Sequence, residues 1–173
     1  MNLALGKQVL EKEVGNPDVA TNGVITGYKG SVESRTYSYF KWPGSLTVDL
    51  EKQYVVKCIR FLLWDGMGKA GVSRDSRKYR YRLETSLDGE FYNVAYDTGE
   101  NGYNGWQQFL FHSGIKTRYI RVYGRHNSRN DSVHIVEVEA YENDTPPKLD
   151  AEIVLEKRIL SSIPKSNNQR RTP

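Results

Sequence analysis

An all-β, antiparallel sandwich with a short C-terminal extension is the fold this sequence predicts, and three features predict it. The composition is rich in residues that suit pleated sheet and turns: 12 tyrosines, 15 glycines and 6 prolines among 173 residues, with 38% hydrophobic. Apolar residues recur with period two in short runs bounded by turn residues. No alternation of strand and helix patterns runs along the chain, which excludes a parallel doubly wound sheet and leaves helix a minor component.

The elements follow in order. "SLTVDL" (45–50) alternates Leu46, Val48 and Leu50 against polar partners, so one face is buried. "VVKCIRFLLW" (55–64) is continuously apolar, as a central strand is. "KYRYRLETS" (78–86) sets Tyr79, Tyr81, Leu83 and Thr85 on one face and Arg80, Arg82 and Glu84 on the other, toward water or a partner. Asp88-Gly89 between two strand-like runs is the strongest hairpin signal in the chain. "GWQQFLFH", "TRYIRVYGR" and "SVHIVEVEAYE" complete about seven or eight strands, the number and spacing of a sandwich or barrel. On the last of these, His134 alternates with Val136 and Val138 and reads as a hydrogen-bonded core residue, while Glu137 and Glu139 read as solvated.

After Tyr141, "ENDTPPKLD" has the composition of a linker, which divides the chain into a body, 1–143, and a linker with a C-terminal docking tail, 144–173. Within the tail "AEIVLEKRIL" reads as one strand or a few helical turns, and as either packing back on the body or docking on another chain.

Charge and chemistry narrow the function. The net charge is +4, yet 25 basic residues are interleaved with 21 acidic ones, a mixed surface that argues against nucleic acid. Cys58 stands alone in an apolar run and reads as a buried thiol. No nucleophile stands in a triad or elbow context, and no zinc or phosphate-loop motif is present, so the reading is not an enzyme. The first residues show no charged region leading into a long apolar run, and no segment reaches spanning length. The expected location is therefore cytoplasmic or virion-associated, or secreted if a signal has been removed.

Read together, "NLALGKQV", "SLTVDLEKQYVVKCIRFLLWD", "YRLETSLDGEFYNVAYD" and "WQQFLFHSGIKTRYIRVYGRHN" followed by "VHIVEVEAYE" resemble the coagulation factor V/VIII type C, or discoidin, domain. That family overlaps the family 32 carbohydrate-binding modules and the galactose-binding-like jelly rolls. "IRFLLWD", the Tyr-rich strand after it and "GRHNSRNDSVH" are similar to the discoidin-like domains of intracellular BTB-domain proteins. The resemblance implies a binding module whose ligand is held by loops at one end of the sandwich.

A sugar site needs an exposed aromatic face and planar polar groups. Three polar stretches supply them: Tyr37 and Tyr39 in "GYKGSVESRTYSYFKWPG", where Phe40 and Trp42 plug the sandwich end; Asp65, Arg74 and Arg77 in "WDGMGKAGVSRDSRK"; and Arg125, His126 and Asn127 in "GRHNSRN". Gly124 is expected to free the chain to turn there, Arg125 to touch ligand and Asn127 to bond its own backbone. The resemblance also implies a calcium loop of the kind A-x-DG-x-x-T. Here "VATNGVIT" offers Asn22 in place of the Asp and retains Thr26, with Glu139 or Glu137 on the last strand, a weak calcium site.

The expected function is thus a non-catalytic module binding a glycan or small polar ligand. Its rival is a structural or interaction protein, a virion decoration subunit or intracellular adaptor, that docks a protein partner through its tail and forms an oligomer.

Overall fold

A computed structural model describes residues 1–25, 36–66, 77–149, 153 and 155–160. Among these the chain forms seven strands, β1 (Ser38–Lys41), β2 (Gly44–Leu63), β3 (Tyr79–Ser86), β4 (Asn93–Asp97), β5 (Gly105–Asn127), β6 (Ser132–Tyr141) and β7 (Leu155–Leu160), and one 3-10 turn at Val19–Thr21. The path of pairing is β1-β6-β2-β5-β3-β4, antiparallel throughout, with β7 alone parallel, on β5. The all-β antiparallel expectation holds.

Two strands are longer than their sequence patterns suggest, because "SLTVDL" and "VVKCIRFLLW" are the two halves of β2, and "GWQQFLFH" and "TRYIRVYGR" the two halves of β5. β2 and β5 pair along their whole length with irregularities between Asp49 and Tyr54 and between Val56 and Cys58. At the first of these Glu51 takes a φ of 74°, and its amide donates to Asp49 Oδ1 at 2.7 Å. Arg118 grips the same carboxylate with two N–H donors at 2.8 and 2.9 Å. The bend lets one strand pair serve both layers.

The first half of β2 contributes Leu46, Val48 and Leu50 to the core and the second half Ile59, Phe61 and Leu63, all fully buried. Phe61 meets Tyr81 edge-on at 5.0 Å and stacks with Phe109 at 6.0 Å, so side chains of β2, β3 and β5 interlock between the layers. A smaller apolar cluster of Leu62, Trp64, Trp106, Val136 and Ile153 lies apart from this core, with Tyr37 and Leu149 packed against it. Residues 155–160 run beside β5 in register from Trp106↔Leu155 to Phe111↔Leu160. Arg158 enters a cage of Tyr96, Tyr103 and Phe109 at 4.4 to 5.4 Å and donates to Gln107 at 3.2 Å. That strand is therefore part of the same sheet as the body.

Four local expectations are corrected. Glu84 does not face water: it is fully buried between Arg121 and Arg82, at 2.6 and 3.2 Å. The inward phase of β6 is Val133 and Ile135, then Val138 and Ala140, because the pairing with β2 slips at Val136; His134 therefore faces away from the main core, although it is buried. Glu137 is fully buried rather than solvated. Gly124 is not at a turn, since β5 runs on to Asn127. It is a close-packing position, where a Cβ would stand 2.5 Å from Val133 Cγ2 and 3.1 Å from the Phe40 ring.

Candidate functional site

The register of β1 on β6 sets Tyr39 opposite His134. The chain leaving β2 returns to the same place, as the Trp64 amide donates to the His134 carbonyl at 3.1 Å. Arg77 precedes β3, which brings Tyr79 to the same histidine. The Tyr37 ring packs 4.9 Å from Trp64, 4.7 Å from His134 and 6.2 Å from Tyr39. The Arg77 guanidinium lies 4.5 Å from the centre of the Trp64 ring. His134 Nδ1 faces both the Tyr79 hydroxyl at 3.1 Å and Arg77 Nη1 at 3.4 Å. Because a guanidinium can only donate, that contact makes Nδ1 the acceptor and fits the neutral tautomer with its proton on Nε2.

The cluster is graded in exposure. Trp64, Arg77 and His134 are buried, Tyr37 is half-buried, and Tyr39 is 44% exposed. Burial raises the Tyr37 hydroxyl above its usual value, against the opposing field of Arg77. Gly15 makes a two-way backbone bridge with Tyr39, at 2.8 and 3.1 Å. A Cβ on Gly15 would fall 2.2 Å from the Tyr39 ring, so only glycine lets that ring lie there. The result is a partly exposed aromatic face backed by a buried imidazole and guanidinium, and it can stack an apolar ring face.

Of the residues the sequence singled out, Tyr37, Tyr39 and Arg77 meet here. Asp65, buried, directly follows Trp64. Arg74 and Thr26 lie outside the described residues. The three residues of "GRHN" are strand residues with separate surroundings. Arg125 donates to Asp97 at 2.7 Å, across β3. The His126 ring sits 5.1 Å from Trp42, whose Nε1 donates to the Asn130 carbonyl at 2.8 Å. Asn127, 3% exposed, donates to Asn130 Oδ1 and the Ser132 carbonyl at 2.9 and 2.7 Å and accepts from the Arg129 amide at 3.0 Å. Phe40 is buried in the core and Trp42 packs against it. Sequence reasoning missed Trp64 and misplaced His134 as members of the cluster; only the pairing of β1 with β6, a long-range register, brings them to Tyr37.

The residues proposed for calcium part company as well. Glu139 is ion-paired with Arg60, and Asn22 Oδ1 accepts from the Val24 amide at 2.9 Å. Glu137 is the carboxylate that faces the Asn22 loop: its Oε2 accepts from the Gly23 amide at 3.0 Å, and its buried Oε1 has no partner among the described residues. Burial, with Glu139 close by, pushes its carboxyl up to about 8. Among the described residues no three His, Cys, Asp or Glu side chains cluster to hold a metal.

With this geometry in hand, the class is that of an all-β, antiparallel sandwich domain. The sequence model of the F5/8 type C domain matches residues 11–138, and the chain belongs to that family. Mouse BTB/POZ domain-containing protein 9 is 30% identical over 108 residues, 62% of this chain and 16% of that protein; the chain thus spans about one sixth of that relative's length. Chitosan-binding module 1 from a chitosanase/glucanase of Paenibacillus sp. IK-5 superposes with a TM-score of 0.60 at 18% identity, covering 82% of this chain and 98% of the module. The family 32 carbohydrate-binding module of Clostridium perfringens NanJ, solved with galactose, gives 0.53 at 17%, covering 76% and 88%. At these identities the likeness is one of fold. The two neighbours are a chitosan-binding module and a family 32 carbohydrate-binding module.

Proposed function

We propose that the chain is a non-catalytic binding module that takes a glycan or other small polar ligand at the end of the sandwich marked by Tyr37, Tyr39, Trp64 and Arg77. The observation that carries this reading is the exposed Tyr39 ring edge-on to Tyr37, whose own ring lies against the buried His134. Tyr39 and Tyr37 serve as the platform, and Arg77 holds Trp64 in place from below. In isothermal titration with oligosaccharides chosen from a glycan array, Tyr39→Ala should weaken binding by about tenfold or more and leave the melting midpoint nearly unchanged. Unaltered affinity in that variant would reject the site.

A second reading, a protein-interaction module, draws on β7. Leu155 and Ile159 are 43% and 61% exposed on that strand, an apolar pair that a protein partner would cover. A stable oligomer in solution with no array hit would favour it over sugar binding.

A further inference from the structure

Away from the loop end, the outer face of the sheet built by β2, β5 and β3 carries three cross-strand rows. They are Ser45, Tyr123 and Arg82; Thr47, Arg121 and Glu84; and Asp49, Tyr119 and Ser86. The rows are polar and aromatic, as a solvated sheet face would be, yet two segments wall them in. On one side the N-terminal segment runs beside β2, with the Leu10 amide donating to the Thr47 carbonyl at 3.0 Å and Glu11 Oε2 accepting from the Thr47 amide at 2.8 Å. On the other side stands the hairpin of Gly89 and Tyr92. Between them is a groove of about 520 Å³, with Glu11, Ser45, Tyr92, Arg121 and Tyr123 in its lining.

Its chemistry is already arranged. Arg121 spends Nε and Nη2 on the fully buried Glu84, at 2.9 and 2.6 Å, and its guanidinium lies 3.4 Å from the centre of the Tyr92 ring. Nη1 remains for a ligand. Arg82 lies over the Tyr123 ring at 4.4 Å while bridging to Glu84 at 3.2 Å, so both arginines share one buried carboxylate. Glu11, half-buried, has its carboxyl raised by desolvation. A half-buried aromatic ring, a fixed guanidinium, a hydroxyl and a carboxylate converge on one groove of ligand size. Glu84 offsets one of the two arginine charges, and Glu11 and Glu13 in the wall outweigh the other, so a ligand carboxylate would be repelled.

We propose that this groove is a second saccharide site, for a pyranose that carries no carboxylate, with Tyr123 as the stacking platform and Arg121 Nη1, Ser45 and Glu11 bonding its hydroxyls or amino group. It is separate from the Tyr39 end, and either can exist without the other.

The test is a titration of the isotope-labelled chain, wild type and Tyr39→Ala, with galactose, chitobiose and galacturonate, followed by amide chemical shifts. The expected result is that galactose or chitobiose moves the amides of Ser45, Thr47, Arg121 and Tyr123 in both proteins while galacturonate does not. Tyr123→Ala should weaken this binding about tenfold and Tyr123→Phe should retain most of it. Groove amides that stay still with every sugar, or that respond first to galacturonate, would overturn the proposal. Movement at Trp64 alone rejects the groove and supports the Tyr39 end; movement at the groove alone supports the groove and rejects the Tyr39 end.

Discussion

The turn at 127–132 and the cluster around Tyr37 both hold residues that the sequence singles out for ligand contact, and they differ in where the polar groups go. Asn127, Asn130 and Ser132 satisfy one another and their own backbone, while at the other place Tyr39 presents a ring to solvent. The same contrast divides the two fully buried glutamates: Glu84 is met by two arginines, and Glu137 by one backbone amide. Polar groups that satisfy each other internally build the fold and have little left for a ligand. Those left partly unmet are where binding or titration is found.

This contrast can be broken at four points. Glu84→Gln should cost the most, about 3 to 5 kcal/mol, because it leaves Arg121 and Arg82 without their shared charge; chemical denaturation would measure it, and a loss under about 1 kcal/mol would mean the arginines find water instead. Asn127→Ala should follow, at about 2 kcal/mol for a buried amide that holds the turn together. Ligand affinity at the Tyr39 end should not change in that variant, and a loss of affinity without a loss of stability would move Asn127 into the site.

Glu137 gives a pH signature. Its folded carboxyl titrates at about 8, against 4.5 for the free group, so the folded state holds the proton across that interval and the unfolded state does not. Its share of stability is fully present below about pH 4.5 and is lost as pH rises toward about 8. Glu137→Gln should therefore raise the melting midpoint relative to wild type near pH 8 and change it little near pH 4.5. An equal shift at both pH values would contradict the neutral, buried carboxyl. Arg125→Ala should have the smallest effect, within about 1 kcal/mol, since its pair with Asp97 is partly exposed. If ligand affinity falls tenfold in Arg125→Ala while melting is unchanged, the ligand reaches across β3 and the contrast drawn above fails.

What was legible in the sequence was local. Period-two and continuously apolar runs located the strands of the body from β2 onward, and Asp88-Gly89 marked the β3–β4 hairpin, where Gly89 has a φ of 79° and Asp88 Oδ1 accepts from the Glu90 and Phe91 amides at 2.8 and 2.9 Å. The unity of β2 was not legible, because Glu51, at φ 74°, sits in a stretch that reads as a break and is in fact a bend. The aromatic density of 37–42 pointed to Tyr37 and Tyr39. Trp64 and His134 carried no such signal, since a slip at Val136 decides which way His134 faces, and nothing local encodes that slip. Glu84 shows the same limit: alternation placed it on the outer face correctly, but only the packing of Arg121 and Tyr92 above it removes that face from water.

The start of the chain is stitched to the end of β6: the Leu3 amide donates to the Ala140 carbonyl at 2.8 Å, and Asn2 Oδ1 accepts from the Ala140 amide at 3.1 Å. The polypeptide path through the body is thus nearly a closed loop. A rearranged gene that joins residue 142 to residue 2 through a few glycines and opens the chain at the Asp88-Gly89 hairpin should encode the sandwich without β7, with new termini beside Tyr92. A reporter fused there would stand at the rim of the groove that Tyr92 lines.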